Sequence, residues 1–256
     1  MTLLKITGLT HRFEGLTAVS DFHLTVEPLE LIGIIGPNGA GKTTVFNLIT
    51  GVYRATEGSI QLDGREMVGL HPYVINRLGI ARTFQNIRLF KDLSVLDNVR
   101  IAHYGRVTYS PIEALLHIGR FRAEERRVTE QALDLLSIFK LEDAAHERAK
   151  NLPYGMQRRL EIARALATRP KVLLLDEPAA GMNPREILEL MDLIGWIRDT
   201  FSVAILLIEH QMPLVMSLCK RLVVLDFGAT IAQGHPVDIQ ADAKVLEAYL
   251  GGEAQG

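Results

Sequence analysis

An α/β fold with a mixed, mainly parallel sheet is what this sequence predicts, and three observations predict it. Two apolar runs, VLLL at 172–175 and VAILLI at 203–208, are short and apolar throughout, as central strands buried on both faces are. Stretches of helical period alternate with them. Between the apolar run LELIGIIG at 29–36 and the helix-forming KTTVFNLIT lies a glycine-rich turn, GPNGAGKTT at 36–44.

The elements follow in order. Residues 3–7, 19–27 and 58–63 read as strands bounded by Gly, Pro and Asp, an antiparallel β-subdomain at the start of the chain. From 90 to 165 strands give way to charged, helix-forming residues, which predicts an inserted helical subdomain. Within it Val128, Ala132, Leu135, Leu136 and Phe139 recur on one face of a 3.6-residue helix. Asn183 and Pro184 then form an N-cap and N1 pair, and Ile187, Leu190, Met191, Ile194 and Ile197 continue as an inward stripe. RLVVLDFGATIAQG closes the chain as a hairpin turning at 226–228, with Asp226 serving the turn. No internal repeat is present, and low complexity is confined to the tail GGEAQG.

Composition narrows the classes of function. The 256 residues suffice for one sizeable domain with subdomains. Lys and Arg number 28 against 30 Asp and Glu, a formal charge of −2, so nothing in the overall charge draws the chain to nucleic acid or acidic lipid. No apolar run approaches the roughly 20 residues of a spanning helix. A lone cysteine, Cys219, and a start without a secretory apolar run make the cytoplasm the expected compartment.

The chemistry begins at 36–44. Gly36, Gly39 and Gly41 let the backbone curl so that N–H groups point inward, facing an anion together with the positive end of the following helix dipole. A nucleotide phosphate belongs there, cradled by Asn38, Ala40 and Thr44 as well. Lys42 supplies a point charge to the phosphates, and the Thr43 hydroxyl is the expected Mg²⁺ ligand. A second site is KVLLLDEPAAGMNP, whose strand ends in Asp176 and Glu177. Beside a phosphate loop, Asp176 is expected to hold Mg²⁺ through water and Glu177 to polarise the attacking water as a general base.

These motifs, with LPYGMQRRLEIARAL at 152–166 preceding the carboxylate pair, resemble the ATP-binding-cassette ATPases, from Phe13 nearly to the end of the chain. The resemblance implies a P-loop NTPase core of RecA-like type at 1–89 and 166–256, and a helical subdomain at 90–165 that carries the signature. Phe13 falls where the family stacks an aromatic on adenine; the competing reading is a strand-facing core ring. Gln85 matches the glutamine that reaches Mg²⁺ and the water, though on its own it would pass for a surface residue. His210 matches the histidine that contacts the γ-phosphate, although a histidine after a strand is usually structural. In AAGMNP the family's usual Asp is Asn183. The signature departs too: Pro153 removes a hydroxyl and an N–H, Tyr154 replaces a glycine with its ring directed away, Gly155 keeps the close approach, and Met156 stands for a glutamine.

RTFQNIRLF, LPYGM, LDEPAAGMNP, IEHQM and VLEAYLGG together look like the ATPases of branched-chain amino-acid importers. The resemblance implies head-to-tail pairing with an identical or sister cassette around ATP and Mg²⁺. It also implies transmembrane permease subunits docking near Gln85 to Phe90, a solute-binding protein as an indirect partner, no nucleic acid, and a peripheral place on the cytoplasmic face of the inner membrane. ATPases for amides, urea or lipopolysaccharide export, and soluble cassettes acting on nucleic acid or ribosomes, are the competing readings. A P-loop kinase or switch GTPase would leave QRRLEIARAL and IEH without a role.

Overall fold

The computed structural model describes residues 2–106, 111–116 and 120–253. They fall into two compact units, Met1–Gln85 with Lys171–Gly256, and Asn86–Pro170.

The first unit opens with β1 (Leu4–Phe13), β2 (Leu16–Val26) and β3 (Leu31–Ile35), then α1 (Lys42–Ile49), β4 (Glu57–Leu62), β5 (Arg65–Glu66), α2 (Pro72–Leu78) and β6 (Ile80–Arg82). The second unit contains α3 (Val95–His103), α4 (Pro111–Leu116), α5 (Arg120–Ile138) and α6 (Tyr154–Ala167). The chain then returns through β7 (Val172–Asp176), α7 (Pro184–Thr200), β8 (Ala204–Ile208), α8 (Met212–Leu218), β9 (Arg221–Asp226), β10 (Ala229–Gly234), α9 (Pro236–Gln240) and α10 (Ala243–Glu253).

Two sheets organise the first unit. One, in the order β2-β1-β4-β5, is antiparallel; the other runs β10-β9-β3-β8-β7-β6. In the second sheet all pairings are parallel except β10 on β9, so the sheet is mixed and mainly parallel. The apolar runs of the sequence are its centre: every residue of β3, β7 and β8 is buried. Each fully buried Leu, Ile or Val contributes about 1.5–3 kcal/mol of burial, which makes this sheet the rigid base of the unit.

Register decides what meets at the carboxyl ends of these strands. β7 pairs with β8 so that Asp176 lies opposite Ile208, and β8 pairs with β3 so that Ile208 lies opposite Ile34. The residues that follow, Glu177, Glu209 and the loop from Gly36, therefore emerge side by side at one edge, where ligand crevices of open α/β sheets form.

Local sequence accounts for the remaining elements. Asn183 caps α7, its Oδ1 accepting the N–H groups of Arg185 and Glu186 at 3.0 Å each, while Glu186 returns a bond to the Asn183 N–H. On α7 Leu190, Ile194 and Ile197 are buried, whereas Ile187 and Met191 are only half-buried. In the second unit α5 buries Val128, Ala132, Leu135 and Leu136, and Phe139 is buried just beyond its end. Ser94 caps α3 by accepting the Asp97 N–H at 2.9 Å. β1 and β2 run longer than the sequence indicates, with β1 reaching Phe13, because their pairing continues past several bulges.

Candidate nucleotide site

A cleft of about 510 Å³ lies at the carboxyl edge of the parallel sheet. The 38–44 segment lines it, with Phe13, Leu16, Thr17, Ala18, Gln85, Glu177, His210, Phe227 and Gly228. Of the residues singled out in the sequence, Phe13, Asn38, Gly39, Ala40, Gly41, Lys42, Thr43, Thr44, Gln85, Glu177 and His210 are thus brought together. Gly36 begins the loop behind them. Asp176 does not line the cleft, and Pro153, Tyr154, Gly155 and Met156 belong to the other unit.

The loop is held from outside by backbone and from inside by one side chain. Gly36 and Gly41 have φ of 146° and 99°, where only glycine is comfortable. A Cβ would also lie 2.0 Å from the Leu225 carbonyl oxygen at Gly36, and 2.5 Å from that of Ala18 at Gly41. The Gly228 N–H donates to Ala40 O at 3.0 Å, tying the β9–β10 turn to the loop. Inside, Lys42 Nζ donates to the carbonyls of Gly36 and Pro37, both at 2.8 Å. Burial holds the Lys42 ammonium below its usual range, and the charges of Glu177 and Asp176 partly oppose that.

Glu177 is fixed at both oxygens. Its Oε2 accepts from Gln85 Nε2 at 2.7 Å, and its Oε1 lies 2.9 Å from His210 Nε2. An ionised carboxylate only accepts, so the proton of this second bond sits on His210 Nε2. Two neighbours use two of the four lone-pair positions, leaving acceptor capacity for a further proton. Glu177 itself adopts φ of 46°, an unfavourable conformation for a side-chain-bearing residue that is kept by its N–H bond to Ile208 O at 2.9 Å.

Asp176 has a partner that the sequence did not suggest. Arg82, at the end of β6, donates Nη2 to Asp176 Oδ2 at 2.7 Å, with the two side chains 4% and 2% exposed. The same guanidinium donates Nη1 to Asn47 Oδ1 at 2.7 Å and lies over the rings of Phe46 and Phe84. Asp176 Oδ1, by contrast, is buried without a hydrogen-bond partner among the described residues. A strand of three residues with no alternation offers no period to read, which is why β6 and Arg82 escape sequence inspection.

Glu209 was missed as well. The residue is 3% exposed, and its carboxylate accepts the Ala179 N–H at 2.8 Å and the His210 N–H at 3.1 Å. Burial pushes its pKa up, against bonds from the N–H groups of Ala179, His210 and Gln211 that lower it.

At the rim Phe13 is half-exposed. It meets His11 edge-on at 4.4 Å between centroids and Tyr53 at 5.3 Å, and His11 and Tyr53 stack on each other at 5.4 Å. In the second unit Pro153 is the N-cap of α6 and no side chain caps the helix. The Tyr154 hydroxyl instead accepts from Arg158 Nη2 at 3.0 Å, so its ring runs back along α6. Arg158 is in turn paired with Glu161 at 2.9 Å, both fully buried.

The chain is similar to known proteins. Residues 19–180 match the family described as ABC transporter, and residues 229–255 match that described as Branched-chain amino acid ATP-binding cassette transporter. The chain is 47% identical over 249 residues to the high-affinity branched-chain amino acid transport ATP-binding protein BraF of Pseudomonas aeruginosa, covering 97% of this chain and 98% of that one. It is 44% identical, with the same coverage, to LivG of Escherichia coli, the ATP-binding protein of the same kind of transport. Among solved structures it is similar to the ADP conformation of MJ1267, an ATP-binding cassette of an ABC transporter, with a TM-score of 0.85, 30% identity, and coverage of 98% and 99%.

Proposed function

The chain belongs to the ABC transporter family of ATP-binding cassettes, and from that premise we propose that it is the ATP-hydrolysing subunit of an importer for branched-chain or related amino acids. It binds nucleotide and hydrolyses ATP. Its partners are two multi-spanning permease subunits and a second cassette, identical or sister, with a solute-binding protein acting through the permeases. No helix among the described residues is long and apolar enough to cross a membrane. The chain therefore reaches the inner membrane through its permeases, peripherally, on the cytoplasmic face.

The observation that supports the enzymatic reading is the convergence of Gln85, Glu177 and His210 on the cleft that the phosphate loop lines. Adenine stacks on Phe13, a contact that needs only a flat ring. The phosphates lie against the N–H groups of Gly39 to Thr44 and the N-terminus of α1, with Lys42 turning its ammonium from loop carbonyls toward the β and γ phosphates. Glu177 takes the proton of the attacking water at a carboxylate oxygen. His210 orients that carboxylate and contacts the γ-phosphate.

The residues present fit a magnesium ion. Asp176 Oδ1 is a buried carboxylate oxygen without a hydrogen-bond partner among the described residues, which a cation or its water would satisfy. No three His, Cys, Asp or Glu side chains cluster for a metal among the described residues, so beside the Asp176 carboxylate a hard cation here would draw on hydroxyl, amide and phosphate oxygens. Thr43, Gln85 and Asp176 would hold it, and it would neutralise charge on the phosphate oxygens.

The helical unit, 86–170, carries the signature by which one cassette meets the nucleotide of the other. Its grip comes from the first-turn N–H groups and dipole of α6, because Pro153 and Met156 donate no side-chain hydrogen bond and Tyr154 is engaged with Arg158. ATP bridges the two subunits only in the closed dimer, so closure is a ligand-driven population shift, and hydrolysis reverses it. The test is expression with the permease subunits and purification from detergent. Co-purification with two multi-spanning proteins, whose vesicles take up leucine only with ATP, supports the reading. Recovery with ribosomes or nucleic acid instead would overturn it.

A further inference from the structure

Glu209 lies between two loops that the proposed chemistry uses, yet it does not line the cleft. One of its oxygens accepts the Ala179 N–H, two residues after Glu177, at 2.8 Å. The other accepts the His210 N–H at 3.1 Å, with the Gln211 N–H also directed at the carboxylate. The first loop leaves β7 and the second leaves β8, adjacent parallel strands whose pairing stops at Asp176 and Ile208. Beyond those residues the strand ladder no longer holds the two loops together. A single backbone bond, Glu177 N–H to Ile208 O at 2.9 Å, continues it.

The physical question is why a carboxylate is kept at 3% exposure. Burying one is costly unless hydrogen bonds compensate, and loop N–H groups left without acceptors are costly in their turn. A carboxylate resolves both at once, since it offers two acceptor oxygens and no donor. A glutamine in the same place offers one acceptor and turns an NH₂ toward backbone N–H groups that cannot receive it. The arrangement requires the acid.

We infer that Glu209 is a positioning residue: its carboxylate clamps the loop after Glu177 to the loop bearing His210, and so sets the distance between base and histidine. The inference rests on the roles proposed above for Glu177 and His210. The clamp acts on backbone, so it fixes where the His210 ring starts from, while the 2.9 Å contact of Nε2 with Glu177 fixes where it ends. Loss of the clamp shifts the histidine without touching the phosphate loop. Turnover should therefore fall while ATP binding persists.

The experiment has two arms on the purified full chain. In the first, kcat and ATP affinity are measured for Glu209→Gln, His210→Ala and the double variant, beside Glu177→Gln. Glu209→Gln is expected to lower kcat by about 10- to 100-fold, the usual effect of a displaced catalytic group, with ATP affinity within about twofold of wild type. His210→Ala should cost much less in the Glu209→Gln background than in wild type, since the two act as a unit. Wild-type kcat in Glu209→Gln, or effects that simply multiply, would overturn the clamp. Full turnover in Glu177→Gln would instead overturn the proposed base and leave the clamp to the second arm. That arm needs no variant: amide hydrogen exchange on the wild-type chain should show Ala179, His210 and Gln211 protected by one common factor once their intrinsic rates are divided out, as one opening event requires. Three unrelated protection factors would contradict the clamp.

Discussion

His210 and Glu177 are joined by a 2.9 Å contact from Nε2 to Oε1 although they are 33 residues apart, and the register of β7 on β8 is what joins them. The histidine follows a buried strand by two residues and the glutamate follows its neighbour by one. Sheet pairing thus converts two unremarkable strand ends into a hydrogen-bonded carboxylate–imidazole pair.

On the roles proposed for this pair, His210→Ala should lower the rate of ATP hydrolysis by about 10²-fold or more, because the Glu177 carboxylate loses one of its two side-chain bonds and the proposed γ-phosphate contact goes with it. ATP affinity, measured by calorimetry, should change far less. A parallel fall in affinity and rate would indicate that the histidine serves binding instead.

Lys42→Ala removes the ammonium that bonds Gly36 O and Pro37 O. ATP affinity should drop by about 10- to 100-fold, the equivalent of a charge-assisted hydrogen bond worth ~1.5–3 kcal/mol. Calorimetry with ATP checks it, and an unchanged dissociation constant would refute the phosphate-loop assignment.

Arg82→Met leaves the Asp176 carboxylate buried without its 2.7 Å partner. Urea denaturation should show a loss of about 3–5 kcal/mol, the cost of breaking a buried pair from one side. Adding Asp176→Asn should restore much of it, since the uncompensated charge is then gone.

Cys219 is buried at the end of α8, and burial pushes its thiol up to about 12. At pH 8 the native chain should resist iodoacetamide and react once unfolded in urea. The folded pKa is raised, so this group's contribution to stability is fully present below the unfolded value of 9.0 and is lost as pH rises from there toward 12. Rapid alkylation of the native protein would show that the site opens.

Much of the fold was legible because its signals are local. Apolar runs with no alternation gave β7 and β8, the glycine spacing gave the phosphate loop, and Asn183 followed by Pro184 gave the start of α7. What escaped is non-local. Arg82 reaches across 94 residues to Asp176, and Glu209 across 30 to Ala179. Neither position has a composition or period that marks it. Both meet their partners only because parallel strands stop at the same level, and register between distant segments is not written in either segment alone. His11 and Tyr53, which support the Phe13 ring, are hidden for the same reason.

The central claim is that this cassette hydrolyses ATP with Glu177 as the base, and steady-state hydrolysis by Glu177→Gln tests it most directly. The account predicts turnover reduced by about 10²- to 10⁴-fold, with ATP still bound and the cassette dimer accumulating in its closed form. Hydrolysis near the wild-type rate would contradict it.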